Sequence, residues 1–161
     1  MTPIRITETF YITSQVSAAD IPKIAAAGFA VIVNNRPDGE APDQPGQADI
    51  CQIAAQEGLD YLYLPTTGAT LNAEAAKAFR AALEAAPGPV LAHCRSGARS
   101  FALWAISEVL AGQIKPEALA ALAAERGCDP SVALSWLSAN GHMAANALPE
   151  KGDNSCPPNP R

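Results

Sequence analysis

What the sequence lacks excludes several classes of protein. Its 161 residues contain no apolar run near the ~18–20 residues that span a bilayer. The opening residues, Met1-Thr-Pro-Ile-Arg-Ile-Thr7, have no apolar stretch followed by a small-residue cleavage site, so no signal peptide is expected. A cytoplasmic protein without membrane association is the expectation. Positive charge is scarce: 11 Lys and Arg stand against 16 Asp and Glu, for a net charge of −5. That balance argues against nucleic acid as a partner, because non-specific binding to it runs on basic patches. It leaves a small anionic substrate open, since local charge can oppose the global sign. The four cysteines, Cys51, Cys94, Cys128 and Cys156, form no C-x-x-C pair and no zinc spacing. No metal or other cofactor is therefore expected, nor a disulfide framework in a cytoplasmic chain. There is no internal repeat.

What is present is a strand–helix alternation. Residues 4–7 and 10–13 are short and β-prone and could pair as neighbours. Ser17 can cap a helix to about Ala27, stopped by Gly28. The continuous apolar run 30–34 reads as a buried strand, followed by a long loop with three prolines up to Gly46. A helix over 47–57, a strand over 61–64 and an Ala-rich helix from an Asn72 cap to about Ala85 come next. Pro87-Gly88-Pro89 breaks that helix before a second buried strand, 90–93, and a helix over 99–111. Residues 115–126 and 131–138 predict two terminal helices. This order implies an α/β fold with a central, mainly parallel sheet flanked by helices. One domain is expected over 1–141, with a polar, Pro-rich tail over 142–161 that carries Cys156.

The chemistry concentrates in Val90-Leu-Ala-His-Cys-Arg-Ser-Gly-Ala-Arg-Ser100. A strand ends at Cys94, a short glycine-containing loop follows, and a helix starts near Arg99. The strand end places Cys94 at the carboxyl edge of the sheet, where ligands bind in open α/β folds. The loop amides of Arg95, Ser96, Gly97 and Ala98 can form an anion nest at a helix N-terminus. Gly97 permits backbone angles that other residues resist. Arg99 offers a planar fork to an oxyanion, and Arg95 adds a second positive charge. These features favour a thiolate, which is the nucleophilic form. Ser100 could donate to the sulfur, and His93 could orient the loop from behind. A core cysteine does not need two arginines beside it, whereas Cys51 lies in an apolar helical register that suits the core, and Cys128 and Cys156 carry no such surroundings.

Three segments together resemble the beta-lactamase-hydrolase-like, phosphatase-like family over about residues 3–112. They are Phe10-Tyr-Ile-Thr-Ser-Gln15, Gly28-Phe-Ala-Val-Ile-Val-Asn-Asn-Arg-Pro-Asp-Gly-Glu40, and Pro89 through Ser100. The resemblance implies a fold like that of dual-specificity (tyrosine) phosphatases. Some such domains are fused to a persulfide dioxygenase, which implies that enzyme or a thiol acceptor as partner.

Two departures from the phosphatase pattern point to sulfur chemistry. Only four residues separate Cys94 from Arg99, where a tyrosine-phosphatase loop has five, and this shorter ring resembles rhodanese. A phosphatase also needs a general acid for its leaving group, and residues 64–70 hold no carboxylate. Asp38 and Glu40 are the nearby candidates, although Asp38 in Pro37-Asp-Gly39 also suits a turn. Arg36 and Asp38 are supporting candidates. The leading expectation is a sulfurtransferase that passes sulfane sulfur through a Cys94 persulfide to a thiol or cyanide. The alternative is a cysteine-dependent phosphatase working through phosphocysteine. A non-catalytic anion-binding module is the third.

Overall fold

The structure, a computed structural model, describes residues 1–143. The expected tail, including Cys156, lies almost wholly outside those residues. A five-stranded sheet is formed by β1 (Ile4–Arg5), β2 (Phe10–Thr13), β3 (Val31–Asn34), β4 (Asp60–Tyr63) and β5 (Val90–His93), in the order β1-β2-β5-β3-β4. Only β1 runs antiparallel to its neighbour; the other pairings are parallel. The helices are α1 (Ile21–Ala26), α2 (Gln47–Gln56), α3 (Ala73–Ala85), α4 (Ala98–Leu110), α5 (Leu119–Arg126) and α6 (Ser131–Ala139). The α/β architecture with a mostly parallel sheet between helices is as the sequence predicts. None of these helices is long and apolar enough to cross a membrane.

The period of two in the central strands distributes the core over both faces. Val31, Val33, Val90 and Ala92 point to one side, where they join Phe79 of α3, Phe101 and Leu103 of α4 and Leu137 of α6. Ile32 and Leu91 point to the other, against Ile21 and Ile24 of α1 and Ile50 and Ala54 of α2. Every residue of β3 and β5 is buried, which is why both read as unbroken apolar runs. Edge strand β4 instead alternates between exposed and half-buried.

Local chemistry shifts several boundaries. The helix expected from Ser17 is split into a 3-10 turn, Ala18–Asp20, and α1, with Pro22 in the first turn of α1. Proline is tolerated there because its missing N–H would have had no intrahelical acceptor. Asp20 Oδ2 accepts from the Ser17 amide at 3.0 Å and the Ser17 hydroxyl at 2.7 Å. Pro116 likewise opens the segment before α5 as a 3-10 turn. Asn72 caps α3 as expected, its Oδ1 accepting from the Ala75 amide at 2.8 Å. Cys51 is half-buried rather than core.

Thr13, His93 and Asn34 stand in register at the carboxyl ends of β2, β5 and β3. The loops that leave β3, β4 and β5 therefore meet at one edge of the sheet, where an open α/β fold receives its ligand.

Candidate functional site

Cys94 follows β5 directly and is only 1 % exposed. Three residues on, Gly97 takes φ 95° and ψ −18°, a left-handed conformation that turns the chain into α4. That turn aims the Gly97 amide at the cysteine sulfur, donating to Cys94 Sγ at 3.1 Å. A Cβ here would meet the Thr13 carbonyl oxygen at 3.4 Å, an ordinary contact, so it is the positive φ that favours glycine. Ser96 and Arg95 are exposed on the outer side of the loop, and the Ser96 hydroxyl accepts weakly from the Ala98 amide at 3.4 Å.

Arg99 is the second residue of α4, not a member of the loop. Its fork is held bidentately by Glu40, with Nη1 donating to Oε1 at 2.6 Å and Nη2 to Oε2 at 2.9 Å. Nη1 also donates to the Thr66 carbonyl at 2.9 Å, so the loops after β3 and β4 both fix this side chain. Glu40 Oε2 accepts a further bond from Arg36 Nε at 2.9 Å, and Arg36 Nη1 donates to Gln15 Oε1 at 2.9 Å. The hydrogen bond from Arg99, reinforced by Arg36, overcomes the cost of burial and lowers Glu40 from 4.5 to about 2. The same pairing raises Arg99, and the neighbouring Cys94 sulfur adds to that effect. Both terminal nitrogens of the fork are thus taken up by Glu40, and Nη1 is shared with Thr66. A cavity of about 590 Å³ opens in front, lined by Arg36, Arg95, Arg99 and residues 40–43.

Several expected side chains have other work. Ser100 does not donate to the sulfur; its buried hydroxyl donates to Asn35 Oδ1 at 2.8 Å. His93 is fully buried, and neither ring nitrogen has a hydrogen-bond partner. Burial, with a smaller contribution from the Arg36 charge, lowers it to about 4, so the imidazole is neutral at ordinary pH. It braces the site through its backbone, its carbonyl accepting from the Asn35 amide at 2.8 Å. Asp38 is a loop brace: its carboxylate accepts from the Gln47 amide at 2.9 Å, and its own amide donates to the Tyr63 hydroxyl at 3.0 Å.

Asn35 is the residue the sequence reading missed. It is 0 % exposed, its amide bonds His93 and its side chain bonds Ser100. It also donates through Nδ2 to the Leu64 carbonyl at 2.9 Å and accepts from the Thr66 amide at 3.0 Å. One asparagine therefore ties all three loops together. The available signal was a polar Asn-Asn pair directly after an all-apolar strand, since a buried amide must find partners. Among the described residues no group of three or more His, Cys, Asp or Glu converges as a metal site.

The family model for the phosphatase-like domain of beta-lactamase hydrolase-like protein matches residues 4–111. The beta-lactamase hydrolase-like protein of Agrobacterium fabrum is 37 % identical over 137 residues, 85 % of this chain and 32 % of that protein. The chain thus spans about a third of the length of this curated relative. A phosphatase candidate from Neisseria meningitidis, known from its crystal structure, is 31 % identical with a TM-score of 0.75, covering 84 % of this chain and 96 % of that one. Pseudomonas aeruginosa TpbA, solved as a cysteine-to-serine variant in complex with pTyr, shares the fold at 21 % identity and a TM-score of 0.61. There the match covers 85 % of this chain and 80 % of TpbA.

These findings overturn the expectation of sulfur transfer through a Cys94 persulfide. The similarities run to phosphatase-like proteins, from the family match to the Neisseria structure. The physical reason lies in the loop. Counting four residues between Cys94 and Arg99 treated Arg99 as part of a ring, but its backbone belongs to α4 and its fork is placed by Glu40 and Thr66. Loop length therefore does not dictate where the guanidinium sits. The missing carboxylate on residues 64–70 also weighs less, because the loop after β3 walls the cavity and carries its own acids. The chain belongs to the phosphatase-like domain family of the beta-lactamase hydrolase-like proteins.

Proposed function

We propose that this chain is a cysteine-dependent phosphatase that hydrolyses phosphate monoesters through a phosphocysteine on Cys94. The observation that carries the reading is the Gly97 amide donating to the Cys94 sulfur at 3.1 Å, in a loop whose Arg95 lines one cavity with Arg99 and Arg36. An amide on the attacking sulfur and arginines around the adjacent cavity suit the charge that develops on a phosphoryl group in transfer. Cys94 is the nucleophile and Arg99 the oxyanion ligand; Arg95 supplies further positive charge, and the amides of residues 96–98 complete the cradle. The family match and the Neisseria similarity support phosphate rather than another anion. The pTyr bound to TpbA makes an aryl phosphate the first probe to use.

Residues 1–141 act in this reading as one catalytic domain. The cytoplasm suits it, since reducing conditions keep a nucleophilic thiol free. Rapid acid quench of the protein during aryl phosphate turnover, followed by mass spectrometry, should find one phosphoryl group on Cys94. Cys94→Ser should lose both turnover and the adduct. Turnover that survives in Cys94→Ser would refute the reading.

A further inference from the structure

We propose, resting on the phosphatase reading above, that Asp43 is the general acid of this site and protonates the oxygen that leaves phosphorus. Displacement at phosphorus places the incoming and departing atoms roughly in line. The incoming sulfur is nearly fully buried at the end of β5, beside Arg99. Arg95 beside the sulfur and Arg99 line the same cavity as residues 40–43, so the departing oxygen is directed toward that wall. An alkoxide or basic phenoxide leaves slowly unless a proton meets it there.

Three carboxylates on the loop after β3 could supply that proton, and hydrogen bonding separates them. Glu40 is committed to Arg99 and Arg36 and stays ionised. Asp38 spends its carboxylate on the Gln47 amide and does not line the cavity. Asp43 does line it, is exposed, and has no hydrogen bond or ion pair among the described residues. The loop after β4, residues 64–72, contains no acid at all.

Asp43 is also held in place. The adjacent Gln44 donates its amide to the Ala41 carbonyl at 3.2 Å and its side-chain Nε2 to the Pro37 carbonyl at 2.7 Å. Those bonds fold residues 37–44 back on themselves and present the 42–43 turn to the cavity.

The step balances. The Cys94 S–P bond forms as the P–O ester bond breaks, the electron pair stays on the departing oxygen, and the Asp43 proton makes it a neutral alcohol or phenol. Water then attacks phosphorus, its proton passes to the Asp43 carboxylate, and the S–P bond breaks to give inorganic phosphate and the thiolate.

The test compares Asp43→Asn with the unaltered protein on two aryl phosphates. Phenyl phosphate has a basic leaving group, and its kcat should fall by about 100-fold or more, the usual contribution of a general acid. p-Nitrophenyl phosphate has a leaving group stable as an anion and should lose less than about tenfold. Both rates come from one preparation, so their ratio is unaffected by the fraction of folded enzyme. Equal losses, or no loss, would overturn the assignment while leaving the phosphatase intact. Should Asp43→Asn turn over both substrates too slowly for a ratio to be measured, Asp43→Glu decides: restored turnover of phenyl phosphate supports the role, and continued inactivity overturns it. An unaltered protein that hydrolyses neither ester and forms no phosphocysteine would remove the phosphatase reading and this assignment together.

Discussion

Replacing Glu40 with glutamine tests how the arginine fork is held. In the native protein two arginines share this carboxylate, which is lowered from 4.5 to about 2. The whole of that displacement would be worth about 3 kcal/mol. With 28 % of the Glu40 side chain open to water, screening reduces it to about 1–2 kcal/mol at neutral pH. The sign follows from linkage. A carboxyl whose folded value lies below its unfolded one contributes fully above pH 4.5 and loses that contribution as pH falls toward 2. Urea unfolding of Glu40→Gln should therefore show a deficit of about 1–2 kcal/mol at pH 7, with more than half of it gone by pH 3. Glutamine keeps the shape but offers one acceptor oxygen, so it cannot hold Nη1 and Nη2 together. The freed fork should cost about tenfold in kcat/KM on any phosphate ester, independent of leaving group and constant from about pH 5 to 8. A stability deficit as large at pH 3 as at pH 7 would refute the ion-pair reasoning, and unchanged kcat/KM would refute the positioning role.

Two further outcomes follow from the same geometry. Gly97→Ala should lose about 1–2 kcal/mol of stability, the cost of a left-handed residue with a Cβ, and should also lower turnover, because the strained turn no longer aims the 97 amide at the sulfur. A variant as stable and active as the parent would contradict the assigned conformation. His93, held near 4 by burial, binds a proton in the unfolded chain before it does so in the fold, so acidification from pH 6.5 to 4 should remove up to about 3 kcal/mol. Parallel pH–stability curves for the native chain and His93→Gln would show that this histidine does not cause the slope.

Sequence alone singled out Cys94 as the candidate nucleophile because the signals around it are local. A buried apolar strand, a cysteine, a glycine and a helix start lie within eleven consecutive residues, and each leaves a mark on composition or spacing. The same holds for Asn72 at the start of α3 and for the buried runs of β3 and β5. The partners of Arg99 and Ser100 were not legible, because each depends on where a distant loop lands. Glu40 and Arg99 are 59 positions apart, and Asn35 and Ser100 are 65 apart. Nothing near Ser100 says that its hydroxyl turns toward β3 instead of the sulfur. Choosing the reaction by counting residues between Cys94 and Arg99 failed for a related reason: a long side chain from a helix can be placed by its partners.

The position of β5 in the strand order bears on how the molecule opens. It is paired along its whole length with β2 on one side and β3 on the other, whereas β4 has a neighbour on one side only. In hydrogen–deuterium exchange the amides of residues 90–93 should be released only when the entire fold opens, while β4 and the loop of residues 35–46 exchange through cheaper local excursions. The thiol is thus mounted on the slowest-exchanging part of the protein and the groups around it on faster ones. On warming, substrate affinity should weaken first as the loop loosens, and the nucleophile should lose its anchorage only at the cooperative melt.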